Sequence, residues 1–218
     1  MINEVETIEL QHVSLSCKPK RMHFKPVKEQ LRLFSHVFTQ GKTYAIVGEQ
    51  GRGGGALSYL LSGKVQTKSG NILINNKINE AHVFQPIGWY VGEDGKSSFA
   101  SRLGMKKQKT IREQLENAPP GNYSTEQLIT LFGLSASRLE REINYISNER
   151  WNASTAIGLA YGKRIFCFPW LEDDMKGIIR ARLKLCSSIL KQNKSILIIP
   201  VQSDSIVEQF VDEIVYID

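Results

Sequence analysis

Apolar and polar positions along the chain follow two patterns, one typical of buried strands and the other of amphipathic helices. The first half is dominated by short apolar or β-branched runs. Strands are predicted for residues 6–15, 32–38, 42–47, 70–75 and 87–91. After the buried run KTYAIV, a glycine-rich segment leads into ALSYLLSG, which predicts a helix with Leu57, Leu60 and Leu61 facing inward.

The second half is more helical. Helices are predicted for 110–118, 124–134, 135–143, 151–161, 174–192 and 205–210. Three further strands are predicted for 164–168, 195–199 and 213–217. Buried strands that alternate with helices at both ends of the chain indicate an α/β fold with a mostly parallel sheet, preceded by a small antiparallel layer.

Composition narrows the class of protein. The chain has 41% hydrophobic and 23% charged residues, which is typical of a globular domain. No apolar run approaches the roughly 18 residues of a membrane-spanning helix, and the acidic start MINEVETIEL does not resemble a secretory signal. Cys17, Cys167 and Cys186 are too few and too scattered for a disulfide framework, so a reducing, cytoplasmic setting is expected.

The chain is basic, with a formal net charge of +6. That balance suits an anionic partner such as a nucleotide, a nucleic acid or an acidic membrane surface. A solvated basic surface without a specific partner is the alternative explanation.

The glycine-rich segment GEQGRGGG lies between a predicted strand and a predicted helix, where backbone N–H groups and a helix N-terminus can hold phosphate. In the pattern G-x-x-x-x-G-K-[ST], the lysine reaches the terminal phosphates and the hydroxyl holds magnesium. Gly54 stands at the lysine position and Gly55 at the hydroxyl position. The residues considered for weak or vestigial nucleotide binding are Gly48, Gly51, Arg52, Gly53, Gly54 and Gly55. A tight strand-to-helix connection is the structural alternative.

Six segments occur in a familiar order and spacing: YAIVGEQGRGGGAL, LSGKVQTKSGNILINN, IGWYVGED, TIREQLENA, YISNERWNASTAIGLAYGKRIFCF and ILIIPVQSDSIVEQFVDEIVYID. Through them the chain resembles the ATP-binding (nucleotide-binding) subunits of ABC transporters over practically its whole length. The resemblance implies a P-loop NTPase-like ABC ATPase core with a mostly parallel sheet. It also implies an N-terminal antiparallel β layer and an inserted helical subdomain at about 95–150, within one domain spanning 1–218.

The resemblance also locates the positions where this chain departs from the family. Pro169 replaces the metal-binding aspartate, and Trp170 replaces the glutamate that activates water. Gln202 stands for the switch histidine, and Glu93 for the glutamine of the Q-loop. The signature LSGGQ becomes ISNER, in a register open by one residue, which keeps Ser147 but puts Asn148 and Glu149 in place of the glycines. The adenine-stacking aromatic falls near Cys17, with Phe24 or His23 as substitutes.

The combined losses predict a pseudo-ATPase with no catalytic residue and no metal site, because both the positioning groups and the metal-assisted charge stabilisation are missing. No cofactor is assigned with certainty, and weakly bound ATP or ADP without magnesium stays open. The expected partners are a membrane permease subunit, an intact ABC ATP-binding subunit, or a second copy of the chain in a homodimer. The resemblance then implies a cytoplasmic protein, peripheral to the inner face of the membrane through its partners.

Candidate docking residues for the membrane subunit are Phe99, Leu103 and Met105, which could equally pack within the subdomain. Two alternatives stay open. One is an unorthodox active ABC ATPase in which Arg52 and Glu93, with Glu172 or Asp173, replace the lost groups. The other, ranked lower, is a soluble ABC-like protein associated with nucleic acid.

Overall fold

The structure is a computed structural model that describes residues 4–19, 27–79, 81–92, 109–147, 149–171 and 177–217. The chain divides into two compact units, one formed by Met1–Tyr90 with Arg164–Asp218 and the other by Val91–Lys163. In chain order the strands are β1 (Thr7–Cys17), β2 (Glu29–Thr39), β3 (Thr43–Val47), β4 (Ser69–Ile74), β5 (Lys77–Asn79), β6 (Gly88–Tyr90), β7 (Ile165–Cys167), β8 (Ile196–Val201) and β9 (Glu213–Tyr216). The α-helices are α1 (Gly54–Leu61), α2 (Phe84–Ile87), α3 (Ile111–Glu116), α4 (Thr125–Leu131), α5 (Ala136–Leu139), α6 (Arg150–Ala160) and α7 (Ile178–Gln192).

The first unit contains two sheets. One is antiparallel, with strand order β2-β1-β4-β5, and the other is parallel, with order β6-β7-β8-β3-β9. In β1 the buried residues Ile8 and Leu10 alternate with more exposed neighbours, as in a strand with one face on a core. By contrast, every residue of β3 and of β8 is buried, which is usual for central strands of a parallel sheet.

Pro200 lies within β8, although proline is rare in a central strand because it lacks an N–H. Its carbonyl oxygen accepts a hydrogen bond from the Leu171 N–H at 2.9 Å, on the side where β7 has already ended at Cys167. The missing N–H therefore belongs to the side without a strand partner, and the pairing of β8 with β3 continues through the proline.

The second unit is helical in the residues that the structure describes. Helices α3 and α4 both begin with a capping box, formed by Thr110 with Glu113 and by Ser124 with Gln127. Helix α6 is buried from Trp151 to Gly158.

The predicted fold class is confirmed: a parallel sheet with helices is joined by an antiparallel layer. Three local predictions need correction. The helix predicted for 135–143 is only Ala136–Leu139, and a separate 3-10 turn forms over Ile143–Tyr145. The helix predicted for 205–210 is wrong, since only the 3-10 turn Asp204–Ile206 forms there. A six-residue segment is too short to be helical by itself, and its Phe210 carbonyl accepts instead from the Ser187 hydroxyl at 3.1 Å. The second strand also begins at Glu29, three residues before the predicted start, and this matters for the site.

Candidate functional site

The glycine-rich loop connects β3 to α1, as the sequence predicts, and its glycines meet the surrounding backbone closely. Gly51 and Gly53 adopt φ values of 94° and 115°, which side chains disfavour. A Cβ at Gly53 would lie 2.8 Å from the Gln30 carbonyl oxygen, and one at Gly48 would lie 2.7 Å from the Ile217 carbonyl oxygen. Close contacts within the chain therefore require Gly48 and Gly53, and the backbone conformation favours glycine at position 51.

The loop amides already have an acceptor. Glu29, at the start of β2, accepts hydrogen bonds from the N–H of Gly51 and from the N–H of Gly53, each at 3.0 Å and each to a different carboxylate oxygen. The residue is only 3% exposed. In addition, the Gln30 N–H donates to the Gly51 carbonyl oxygen at 3.0 Å, so β2 and the loop are joined by three hydrogen bonds.

Glu29 also acts on its neighbour across the sheet. It pairs with Cys17 of β1, the position near which the resemblance places an adenine-stacking aromatic. Burial, together with the negative charge of Glu29, raises the pKa of the Cys17 thiol to about 12. A small, neutral thiol therefore stands there.

A side chain at Gly54, where the resemblance implies a lysine, would be crowded at its Cβ. Gly54 is buried, and a Cβ there would lie 3.0 Å from Pro200 Cβ, 3.6 Å from Trp170 Cδ1 and 3.7 Å from Ile217 Cδ1. The Trp170 indole N–H also lies 3.4 Å from the Gly48 carbonyl oxygen. The residue at the place of the catalytic glutamate therefore packs beside the loop as an apolar side chain with one donor.

A side chain at Gly55, where the resemblance implies a hydroxyl, would also be crowded. A Cβ at Gly55 would lie 3.2 Å from both Cγ and Cδ of Glu29 and 3.3 Å from Pro19 Cγ. The Glu29 side chain thus occupies the space that a serine or threonine at position 55 would need. These residues do not fit a magnesium nucleotide held in the manner that the resemblance implies.

The other predicted site residues of the first unit lie further out. The side chain of Arg52 is 60% exposed, with its Nε 3.7 Å from Glu49 Oε2, a surface contact of little energetic weight. A polar cavity of about 270 Å³ lies beside it, lined by Gln30, Arg32, Gln50, Gly51 and Arg52. Pro169 is half-buried just after β7. Gln202 is exposed, and its backbone N–H donates to the Leu171 carbonyl oxygen at 3.2 Å.

In the second unit, the signature-like segment leads into α6, which begins at Arg150. Glu149 is a structural acceptor: its carboxylate accepts from the Ser135 N–H at 2.9 Å and from the Ser135 hydroxyl at 2.9 Å. It thereby satisfies the backbone at the start of α5. Ser147 is exposed.

Several sequence-predicted residues lie outside the described part of the chain. They are His23, Phe24, Glu93, Phe99, Leu103, Met105, Asn148, Glu172 and Asp173. Within the described ranges, no group of three or more His, Cys, Asp or Glu side chains is arranged to hold a metal ion. Among the same residues, no helix has both the length and the apolar character to cross a bilayer.

Glu29 is the residue that sequence reasoning missed. It lies 22 positions before Gly51, in a strand, and no local motif links a strand-initial glutamate to a glycine loop. The one signal in the sequence was its place between residues 18–28, which are rich in lysine and arginine, and the apolar strand that follows.

Comparison with known proteins bears on the fold. No protein-family model and no curated protein sequence matches the chain. Among solved structures, it is similar to CbiO1 of Clostridium perfringens, part of the ABC transporter complex CbiONQ, with a TM-score of 0.63 and 15% identity over 99% of this chain and 86% of that one. It is likewise similar to the bacterial ABC transporter cassette MJ0796 in its dimeric form, with a TM-score of 0.63 and 13% identity over 96% of this chain and 94% of that one. A nucleotide-free ATP-binding cassette from an ABC transporter gives a TM-score of 0.63 and 13% identity over 97% and 87% of the two chains. The chain therefore has the fold of an ABC transporter ATP-binding cassette.

Proposed function

We propose that this chain is a catalytically impaired ABC-type ATP-binding subunit that acts as a structural or regulatory partner in an ABC transporter complex. The observation that carries the proposal is the packing at Gly54. A Cβ at the position from which the family's lysine reaches the terminal phosphates would lie 3.0 Å from Pro200 Cβ, closer than a normal carbon contact, and would also touch Trp170 and Ile217.

The replaced groups support the same conclusion chemically. Phosphoryl transfer on this fold depends on positioned charge: a lysine, a metal held by an aspartate and a hydroxyl, and a carboxylate that orients water. Pro169 carries no metal-binding oxygen on its side chain, and the Trp170 indole donates but cannot accept a proton. Neither side chain takes over the role of the family residue at its position.

The proposed partners follow from the assemblies of the structurally similar proteins. CbiO1 is part of a transporter complex, and MJ0796 was solved as a dimer. By analogy we propose that this chain docks on a membrane permease, on an intact ATP-binding subunit, or on both. An intact partner would supply the nucleotide chemistry, and this chain would set the geometry or the rate of the complex.

The first experiment measures phosphate release from Mg-ATP by the purified full chain. We expect no turnover above background, and none in Glu93→Ala or in the exposed-loop control Glu49→Ala. Turnover by the wild-type chain that Glu93→Ala abolishes and Glu49→Ala leaves intact would contradict the proposal and favour the unorthodox ATPase.

The second experiment identifies the partner. The tagged chain is cross-linked in its native cells, and its partners are identified by mass spectrometry. We expect a polytopic ABC permease, an intact ABC ATP-binding subunit, or both. The partner's turnover is then measured with and without this chain, which tests the regulatory role. Strong, salt-sensitive RNA binding without a membrane partner would instead favour the nucleic-acid alternative.

A further inference from the structure

A buried carboxylate is costly unless hydrogen-bond donors satisfy it, and Glu29 is almost fully buried. Its two oxygens each accept one hydrogen bond, from Gly51 N–H and Gly53 N–H, both at 3.0 Å. Two amides of one glycine loop thus converge on a single anionic group. This is the arrangement by which such loops cradle the oxygens of a bound phosphate.

The path of the Glu29 side chain also explains why residue 55 is a glycine. Because Cγ and Cδ of Glu29 would lie 3.2 Å from a Cβ at position 55, the glutamate and Gly55 are matched to one another. The side chain runs along the first turn of α1, in the space that a serine or threonine would fill. An external oxyanion would have to displace the carboxylate or lie in contact with it. In contact, the two negative charges would repel each other.

We propose that Glu29 is the built-in anion of the glycine loop, and that its carboxylate holds the loop amides in place of a phosphate and excludes oxyanions from them. The loop is then an internal carboxylate-binding site that joins β2 to α1. Removing the carboxylate should convert it into a site for small oxyanions such as pyrophosphate. The proposal rests on the loop geometry alone and holds whatever partner the subunit has.

The test compares thermal unfolding of the full-length wild type, Glu29→Ala and the control Glu49→Ala. Glu49 lies on the same loop, but its side chain is 81% exposed. Each protein is heated with and without millimolar sodium pyrophosphate, at ionic strength matched with sodium chloride. We expect Glu29→Ala to unfold roughly 5–10 °C below wild type, and Glu49→Ala within about 1 °C of it. Pyrophosphate should raise the midpoint of Glu29→Ala by several degrees and leave the other two unchanged.

Two outcomes would overturn the proposal: Glu29→Ala as stable as Glu49→Ala, or equal stabilisation of wild type and Glu29→Ala by pyrophosphate. If Glu29→Ala does not fold, hydrogen exchange of ¹⁵N-glycine-labelled wild type and Glu29→Gln decides the question. The Gly51 and Gly53 amides should be protected in wild type, and at least one should exchange more than about tenfold faster in Glu29→Gln, since a glutamine amide offers only one oxygen. Unprotected amides in wild type would refute the contact. Phosphate release plays no part in either readout, so failure here is distinct from failure of the proposed function.

Discussion

Restoring a lysine at Gly54 should damage the protein without restoring nucleotide binding. Gly54 is the first residue of α1 and lies against the central strand β8. Its closest neighbour would be Pro200 Cβ, 3.0 Å from an added Cβ, whereas carbon atoms in favourable contact lie about 3.5–4.0 Å apart. Since Pro200 belongs to a fully buried strand, it has little room to move away.

The expected change in unfolding free energy follows from two opposing effects. Overpacking of a buried site costs about 1–3 kcal/mol, and replacing glycine by alanine in a helix regains about 0.5–1 kcal/mol. Gly54→Ala should therefore lose about 1 kcal/mol of unfolding free energy. Gly54→Lys should lose more, since its chain must also pass the Trp170 ring and the Ile217 side chain, 3.6 and 3.7 Å from the Cβ. Burying its ammonium unpaired would cost several kcal/mol further.

The assay is chemical denaturation of wild type, Gly54→Ala, Gly54→Lys and the control Gly121→Lys, with and without Mg-ATP. Gly121 is a matched site, because the nearest atom to a Cβ there is 3.8 Å away. Saturating Mg-ATP at 100 times its Kd would stabilise a competent site by about 2.7 kcal/mol, and we expect no such gain. The reasoning is refuted if Gly54→Lys is as stable as Gly121→Lys and is stabilised by Mg-ATP.

Three further predictions concern single side chains. Glu149→Ala should lower the unfolding free energy by about 1–2 kcal/mol in denaturant titrations, because the Ser135 N–H and hydroxyl lose a charged acceptor. An unchanged midpoint would contradict this structural role of Glu149. Burial lowers the pKa of His36 from its ordinary 6.5, so its contribution to stability is complete above pH 6.5 and is lost as pH falls through the lower folded pKa. His36→Phe should flatten that acid slope in denaturant midpoints measured between pH 5 and 7. Because the pKa of Cys17 is about 12, alkylation of its thiol by iodoacetamide at pH 8 should be slow, and Glu29→Gln should accelerate it; equal rates would contradict the charge effect.

The main architecture could be predicted because its signals are local. The apolar run of β3, the glycines after it and the apolar helix α1 follow one another directly in the sequence, and the structure has them in that order. The helix predicted for 205–210 failed because a short segment takes its structure from its surroundings.

The site was less predictable because its decisive contacts join distant segments. The resemblance in the sequence implies which motif residues are replaced. What packs at those positions cannot be predicted in the same way, since Glu29 precedes the loop, while Trp170 follows β7 and Pro200 lies in β8, both more than a hundred residues after the loop. Arg52 illustrates the limit: its charge is obvious in the sequence, yet its side chain lies on the outside of the loop.

These contacts indicate that the residues of the loop and their neighbours are mutually adjusted. Gly55 leaves the space that the Glu29 side chain occupies, and Gly54 leaves the space beside Pro200 and Trp170. A residue restored alone would meet the residue that has taken its room, so single reversions should be destabilising and their effects non-additive. A loop with open space and unsatisfied amides would instead tolerate each substitution independently. The described residues instead form a packed connection between β2, α1 and β8.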